Sequence, residues 1–184
     1  MKTFVLIYEG FVQFEIVLAC YLMKIKGDII TLGLEQKLVS SIEGFQTLPN
    51  CTIETFRADE ADLFLIPGGD PNILFKNKNL YQILNMLNDK SKVIAAICSG
   101  PLHLAAAGIL KNKKYTTTLP LDDFKDFDKE FFIDTNVVTD NNIITAKASG
   151  YVDFAIEIGK KLNIYDDQED LDETIRYFKY FDNP

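Results

Sequence analysis

Three short runs, Thr3 to Tyr8, Leu63 to Ile66 and Val93 to Ile97, are apolar on nearly every residue and stop abruptly at turn-forming residues. A strand that is apolar on both faces needs cover on both faces, which is the pattern of a parallel sheet. Helical segments stand between the runs. Residues 13–26 carry apolar residues nearly all round, which predicts a well-covered helix. Residues 79–90 place Leu80, Ile83, Leu84 and Leu87 at i, i+3, i+4 and i+7. A short helix is expected from about Gly100 to Ala107, and a last core helix over 151–162. Alternating strands and helices imply an α/β domain with a mostly parallel sheet and helices on both faces.

Asp28 to Leu32 reads as a second strand. Residues 36–55 read as small antiparallel pieces joined by Gly44 and Pro49, and residues 115–118 and 136–145 as later strands. In the last of these, Asp140-Asn141-Asn142 supplies a hairpin turn. The chain of 184 residues suits one domain of residues 1–163. Residues 164–184 differ. Asp166, Asp167, Glu169, Asp170, Asp172 and Glu173 crowd there, while Leu171, Ile175 and Phe178 keep helical spacing. This is expected to be an acidic helix packed on the domain or on a partner subunit.

Sites in parallel α/β sheets form beyond the carboxyl ends of the strands. The turns Glu9-Gly10, Pro67-Gly68-Gly69 and Ile97-Cys98-Ser99 each follow a strand directly, so all three are expected on one edge. The third has the features of a nucleophile elbow: an apolar strand runs into Cys98, small residues (Ala96 and Gly100) flank it by two, and a helix begins. Such a turn lifts the sulfur out of the sheet. The helix N-terminus behind it is expected to lower the thiol pKa, and the Ser99 amide is placed to donate to an oxyanion.

The motifs Ala-Ile-Cys-Ser-Gly-Pro at 96–101, Leu-Ile-Pro-Gly-Gly at 65–69, Ala-Ala-Gly-Ile-Leu at 106–110 and Thr-Thr-Thr at 116–118, with Glu15 after the first strand, resemble the ThiJ/PfpI family of the class I glutamine-amidotransferase-like superfamily. The resemblance covers residues 3–162. It implies a flavodoxin-like three-layer sandwich and a catalytic group of Cys98, Glu15 and Ser99. Glu15 would stand against the sulfur and move protons, and Gly68, Gly69 and Thr118 would line the oxyanion and substrate site. Many relatives carry a histidine near the position of Thr118 or Leu119. This chain has one histidine, His103. It lies five helical steps beyond Cys98 and so should point away from the sulfur. A Cys-His-acid triad is therefore not expected.

The activity implied is a cysteine-dependent hydrolase or lyase on a small polar molecule, amidase-like or similar to the isonitrile-hydratase branch. That branch usually has aspartate and threonine where Glu15 and Ser99 stand here. The alternatives are a redox-sensing or stress-response protein (deglycase- or chaperone-like) using an oxidisable Cys98, and a regulatory module working through a protein partner. The resemblance also implies a homodimer. A net charge of −8 argues against nucleic acid. No apolar run is long enough to span a membrane, and no cleavable leader is evident. Three scattered cysteines (Cys20, Cys51 and Cys98) suggest neither a disulfide framework nor metal spacing and fit a reducing cytoplasm. No cofactor or metal is expected.

Overall fold

A computed structural model describes residues 1–182; the last two residues of the acidic tail lie outside this range. A seven-stranded sheet forms the centre. In chain order its strands are β1 (Lys2–Ile7), β2 (Asp28–Gly33), β5 (Cys51–Thr52), β6 (Leu63–Ile66), β7 (Val93–Ile97), β8 (Val137–Asp140) and β9 (Ile143–Ala146). The spatial order is β5-β2-β1-β6-β7-β9-β8, parallel except for β8 on β9. Counting only the five inner parallel strands, the order is 2-1-3-4-5, the doubly wound arrangement that reverses direction next to β1. A separate pair, β3 (Val39–Ser40) and β4 (Gln46–Thr47), makes a small antiparallel hairpin.

The helices cover both faces. α1 (Phe14–Lys24) packs with α5 (Tyr151–Lys161) in one layer; α2 (Pro71–Leu74), α3 (Lys78–Asp89) and α4 (Pro101–Ala106) form the other. β6 and β7 are buried along their whole length, as their unbroken apolar sequence requires. α6 (Gln168–Tyr180) lies against its own chain. Phe178 meets Tyr21 of α1, Lys179 pairs with Asp153 of α5 at 2.6 Å, and Lys26 pairs with Asp166 at 2.8 Å. No residue of α6 is buried.

Three local expectations are corrected. Cys51-Thr52 is not an antiparallel piece but the parallel edge strand beside β2. Residues 115–118 form no strand: Tyr115 makes a single bridge to Phe132, and the threonines spend their hydrogen bonds elsewhere. α1 is not well covered. It buries Ile16, Ala19, Leu22 and Met23, while Phe14, Val17 and Tyr21 remain half-exposed or more. One layer of neighbours can cover only one side of a helix.

Candidate active site

β1, β6 and β7 are adjacent in the sheet, so the three turns that follow them meet on one edge, as expected. Cys98 follows the last residue of β7 and has φ +63°. A side chain in the left-handed region is strained by about 1–2 kcal/mol, and such strain persists only where neighbours enforce it. Here the Cys98 amide donates to the Ala146 carbonyl at 2.9 Å, and the Cys98 carbonyl accepts from Thr117 Oγ1 at 2.8 Å and the Thr118 amide at 3.1 Å. Gly100 is required as well: a Cβ there would sit 2.8 Å from the Ile66 carbonyl oxygen. The nucleophile elbow is therefore present in its strained form.

Glu15 lies in the first turn of α1 and is 2% exposed. Its Oε2 accepts the Gly68 amide at 2.9 Å, and its carboxyl hydrogen-bonds Cys98. Gly68 separates the two. A Cβ at that position would lie 2.5 Å from Glu15 Oε2 and 2.9 Å from Cys98 Sγ. Only glycine lets the turn approach the pair this closely.

Burial is the main cause that raises the pKa of both partners. It pushes the Cys98 thiol up to about 12, and the neighbouring Glu15 charge adds to this. It lifts Glu15 above its ordinary carboxylate value, against the lowering effect of its bonds to Cys98 and Gly68. Burial and the Glu15 charge thus act against the lowering expected from the helix N-terminus. α4 is only six residues long, and the opposing desolvation and like-charge repulsion are larger. Both shifts favour the protonated form of each group, and the bond between them favours the thiol as donor and Glu15 as acceptor.

Ser99 is almost fully buried, and its hydroxyl is committed to the opposite turn. It accepts from the Gly69 amide at 3.1 Å and donates to the Gly69 carbonyl at 2.9 Å. Gly68 and Gly69 thus have both amides engaged within the protein, by Glu15 and Ser99. The Ser99 amide bears on the sulfur itself. The Thr118 side chain acts to lower the thiol pKa, against the larger effect of burial, and its Oγ1 accepts the Ala148 amide at 2.8 Å. His103 makes no hydrogen bond to Cys98 or Glu15. It is fully buried in α4 with neither ring nitrogen partnered, and burial alone drops its pKa to about 4.

Three contributors escaped the sequence reading. Tyr8 donates from its buried hydroxyl to the Gly68 carbonyl at 2.9 Å and sets the orientation of that peptide. Thr117 fixes the Cys98 carbonyl. Lys147 lines an open cleft of about 550 Å³ on the Thr118 side, with Thr117, Pro120, Phe132 and Ser149. For Tyr8 and Thr117 the available signal was position: one directly follows a strand that leads to the site, and the other belongs to the threonine run. Among the described residues no group of three or more His, Cys, Asp or Glu could hold a metal, and no helix is long and apolar enough to cross a membrane.

The model of the DJ-1/PfpI family matches residues 1–161. A protein named a deglycase from Thermococcus kodakarensis is 29% identical over 153 residues, covering 82% of this chain and 92% of that protein. A Bacillus subtilis protein named an uncharacterized protease is 28% identical over 147 residues, covering 74% of this chain and 67% of that protein. Among solved structures, a DJ-1 superfamily protein from Agrobacterium tumefaciens superposes with a TM-score of 0.86 at 19% identity, covering 98% of this chain and 99% of that one. At that identity the likeness is one of fold.

Proposed function

The chain belongs to the DJ-1/PfpI family, and from that premise we propose that it is a cysteine-dependent hydrolase or lyase acting on a small polar carbonyl compound. The observation that carries this reading is the pair itself: a strained, elbow-mounted Cys98 hydrogen-bonded to a buried Glu15. As a substrate carbon approaches, Glu15 takes the thiol proton and sulfur bonds to the carbon. The C=O π pair moves onto oxygen, which the Ser99 amide receives. Glu15 then returns the proton, to that oxygen in an addition, or to the leaving nitrogen in an amide cleavage, where the oxyanion pair re-forms C=O as the C–N bond breaks and water then releases the acyl group from the sulfur. The Gly69 amide joins the oxyanion site only if the Ser99 hydroxyl turns away from it.

Relatives named deglycase or protease favour a carbonyl carbon over an isonitrile. The raised thiol pKa favours activation by bound substrate over a standing thiolate, which speaks against a redox sensor. The test is intact-mass detection of a Cys98 adduct with aldehydes, amides and glycated amines, alongside turnover, with Cys98→Ala as control. No adduct and no turnover in any class would sink the proposal.

The working unit in this reading is a homodimer in a reducing cytoplasm. Phe14, Val17, Tyr21 and Ile25 on and just after α1 are exposed, as are Leu38, Ile42, Phe45 and Leu48 around the β3–β4 hairpin. Glu43 of the hairpin accepts the Gln13 and Phe14 amides and joins the two sets into one face. Together they present an exposed apolar surface of the kind that a stable interface buries. Sedimentation should give a dimer that Val17→Asp converts to a monomer. A wild-type monomer at micromolar concentration would exclude it.

A further inference from the structure

We propose that Glu43, at the tip of the β3–β4 hairpin, is a positioning residue for Glu15: its carboxylate holds the first turn of α1, and with it the Glu15 carboxyl, in place against the Cys98 sulfur. This rests on the reading above, in which Glu15 moves the thiol proton, and adds a residue to that machinery. Glu15 is the second residue of α1, and the helix is not capped by its own side chains. Gln13 stands at the N-cap position with helical backbone angles and makes no side-chain cap bond. The first amides of a helix have no partner within it. Here two of them are met from the hairpin: Glu43 Oε1 accepts the Phe14 amide at 3.0 Å, and Oε2 accepts the Gln13 amide at 3.2 Å. One carboxylate thus grips the two residues that precede Glu15.

The grip comes from a braced support. The tip of the hairpin is closed by the Gly44 amide on the Ser41 carbonyl at 2.9 Å and the Ser41 amide on the Phe45 carbonyl at 2.8 Å. The hairpin is laced to the segment that enters α1: the Gly10 amide donates to the Ser40 carbonyl at 2.8 Å, and the Ile42 amide to the Phe11 carbonyl at 2.9 Å. From the other side, the Val12 amide donates to the Gly68 carbonyl at 2.9 Å, and the Gly68 amide binds Glu15. Glu15 therefore stands where bonds from the hairpin meet the Gly68 turn. The braces of the hairpin use backbone groups, so replacing Glu43 removes its hold on α1 without releasing the hairpin.

The charge of Glu43 acts on the same target. The titratable groups that face Glu15 are Cys98 on the elbow, Tyr8 after β1 and Glu43 on the hairpin. Burial raises the first two and keeps them protonated near neutral pH. Burial also pushes Glu43 up, but the amides of Phe14, Glu43 itself and Gln13, with the Ser41 side chain, together hold its carboxyl below the usual carboxylate range. Glu9 spends its carboxylate on the Ser40 amide. α5 meets the first turn of α1 through Tyr151 on Phe14 and places no charge on Glu15. Among the described residues, Glu43 is thus the charge from outside the pair that acts on Glu15. An anion at a helix N-terminus is favourable, and the same anion makes ionisation of Glu15 harder.

The experiment reads Cys98 directly, without substrate. Alkylation of Cys98 by iodoacetamide in the full-length protein is followed as a function of pH by peptide mass spectrometry, with Cys20 and Cys51 as internal controls. Glu43→Ala should slow Cys98 alkylation about tenfold at the plateau, within the range for a displaced reacting group. Glu43→Gln keeps an acceptor oxygen and should recover most of that loss. Both should move the acid limb to lower pH, because ionised Glu15 loses a like charge nearby. A residue that served stability alone would leave plateau and limb where they are once the variant is folded. An alanine variant with the wild-type profile overturns the proposal, as does a change that Cys20 and Cys51 share. If the alanine variant fails to fold, the glutamine variant decides, and an unmoved limb there overturns the proposal. Because no turnover is measured, a Glu43-dependent profile would stand even if the protein proved to be no hydrolase or lyase. Turnover at Cys98 with an alkylation profile indifferent to Glu43 would refute this inference alone.

Discussion

The two sides of the Cys98 sulfur are built differently. On the Glu15 side the Gly68 amide is taken by Glu15, the Gly69 peptide is held at both ends by Ser99, and the Gly68 carbonyl is held by Tyr8. All of these contacts are buried or partly buried. On the Thr118 side the cleft wall is exposed, and its charged group is held by a carboxylate that stands in water. Buried and saturated groups keep their positions, while solvated pairs exchange cheaply. The Glu15 side is thus preorganised, and the Thr118 side is replaceable.

Five substitutions probe this contrast, beginning with the largest effect. Cys98→Ala should abolish the covalent adduct and reduce turnover to background. Any residual adduct, seen by intact mass, would locate the nucleophile elsewhere.

Glu15→Gln should lower kcat/KM by about 10²–10³, the range for a lost general acid–base group. The same change should raise stability at pH 7. A carboxyl whose folded pKa is raised stabilises the protein at low pH and loses that contribution as pH rises through the folded value. The gain in Tm for the glutamine variant should therefore shrink as pH falls from the raised folded value towards the ordinary carboxylate value of about 4.5, and be gone below it. In the wild type, the acid limb of kcat/KM should lie above that value.

One buried group on the α4 side is not saturated. His103 is buried with both ring nitrogens unpartnered. Its folded pKa of about 4 lies below the unfolded value of about 6.5, so stability is full above pH 6.5 and drains as pH falls towards 4. That drain amounts to about 3 kcal/mol. His103→Leu should flatten the slope in chemical denaturation measured across this window; an unchanged slope would place the acid sensitivity elsewhere.

The smallest effects compare the two sides directly. Ser99→Ala orphans both ends of the Gly69 peptide and should cost about 1–3 kcal/mol of stability. Thr118→Val, on the open side, should leave stability nearly unchanged and raise KM several-fold. Equal stability losses would erase the distinction between the sides.

Much of this was legible in the sequence, for a physical reason. Cys98, Gly100, Gly68 and Gly69 answer to backbone geometry, which allows few residue types and so leaves a strong local trace. Glu15 stood out because a carboxylate on an apolar helix face needs a partner. Tyr8, Thr117 and Lys147 left no comparable trace. Their roles depend on which strands are neighbours, and tyrosine, threonine and lysine at strand ends are compatible with many roles. The thiol pKa went the other way because the helix N-terminus is visible in sequence, while the depth of burial and the Glu15 charge appear only in three dimensions. The exposed face of α1 was missed for the same reason: an apolar helix does not declare how much cover the fold supplies.

The positive φ of Cys98 has an evolutionary consequence. Glycine is at ease in that backbone conformation and cysteine is not. Of all replacements at position 98, glycine best relieves the turn, and it also removes the sulfur. A lineage released from selection for chemistry would therefore be expected to drift towards glycine here, gaining stability as it lost function. Whether a related chain keeps a thiol at the elbow is accordingly a sensitive record of whether it still acts as an enzyme.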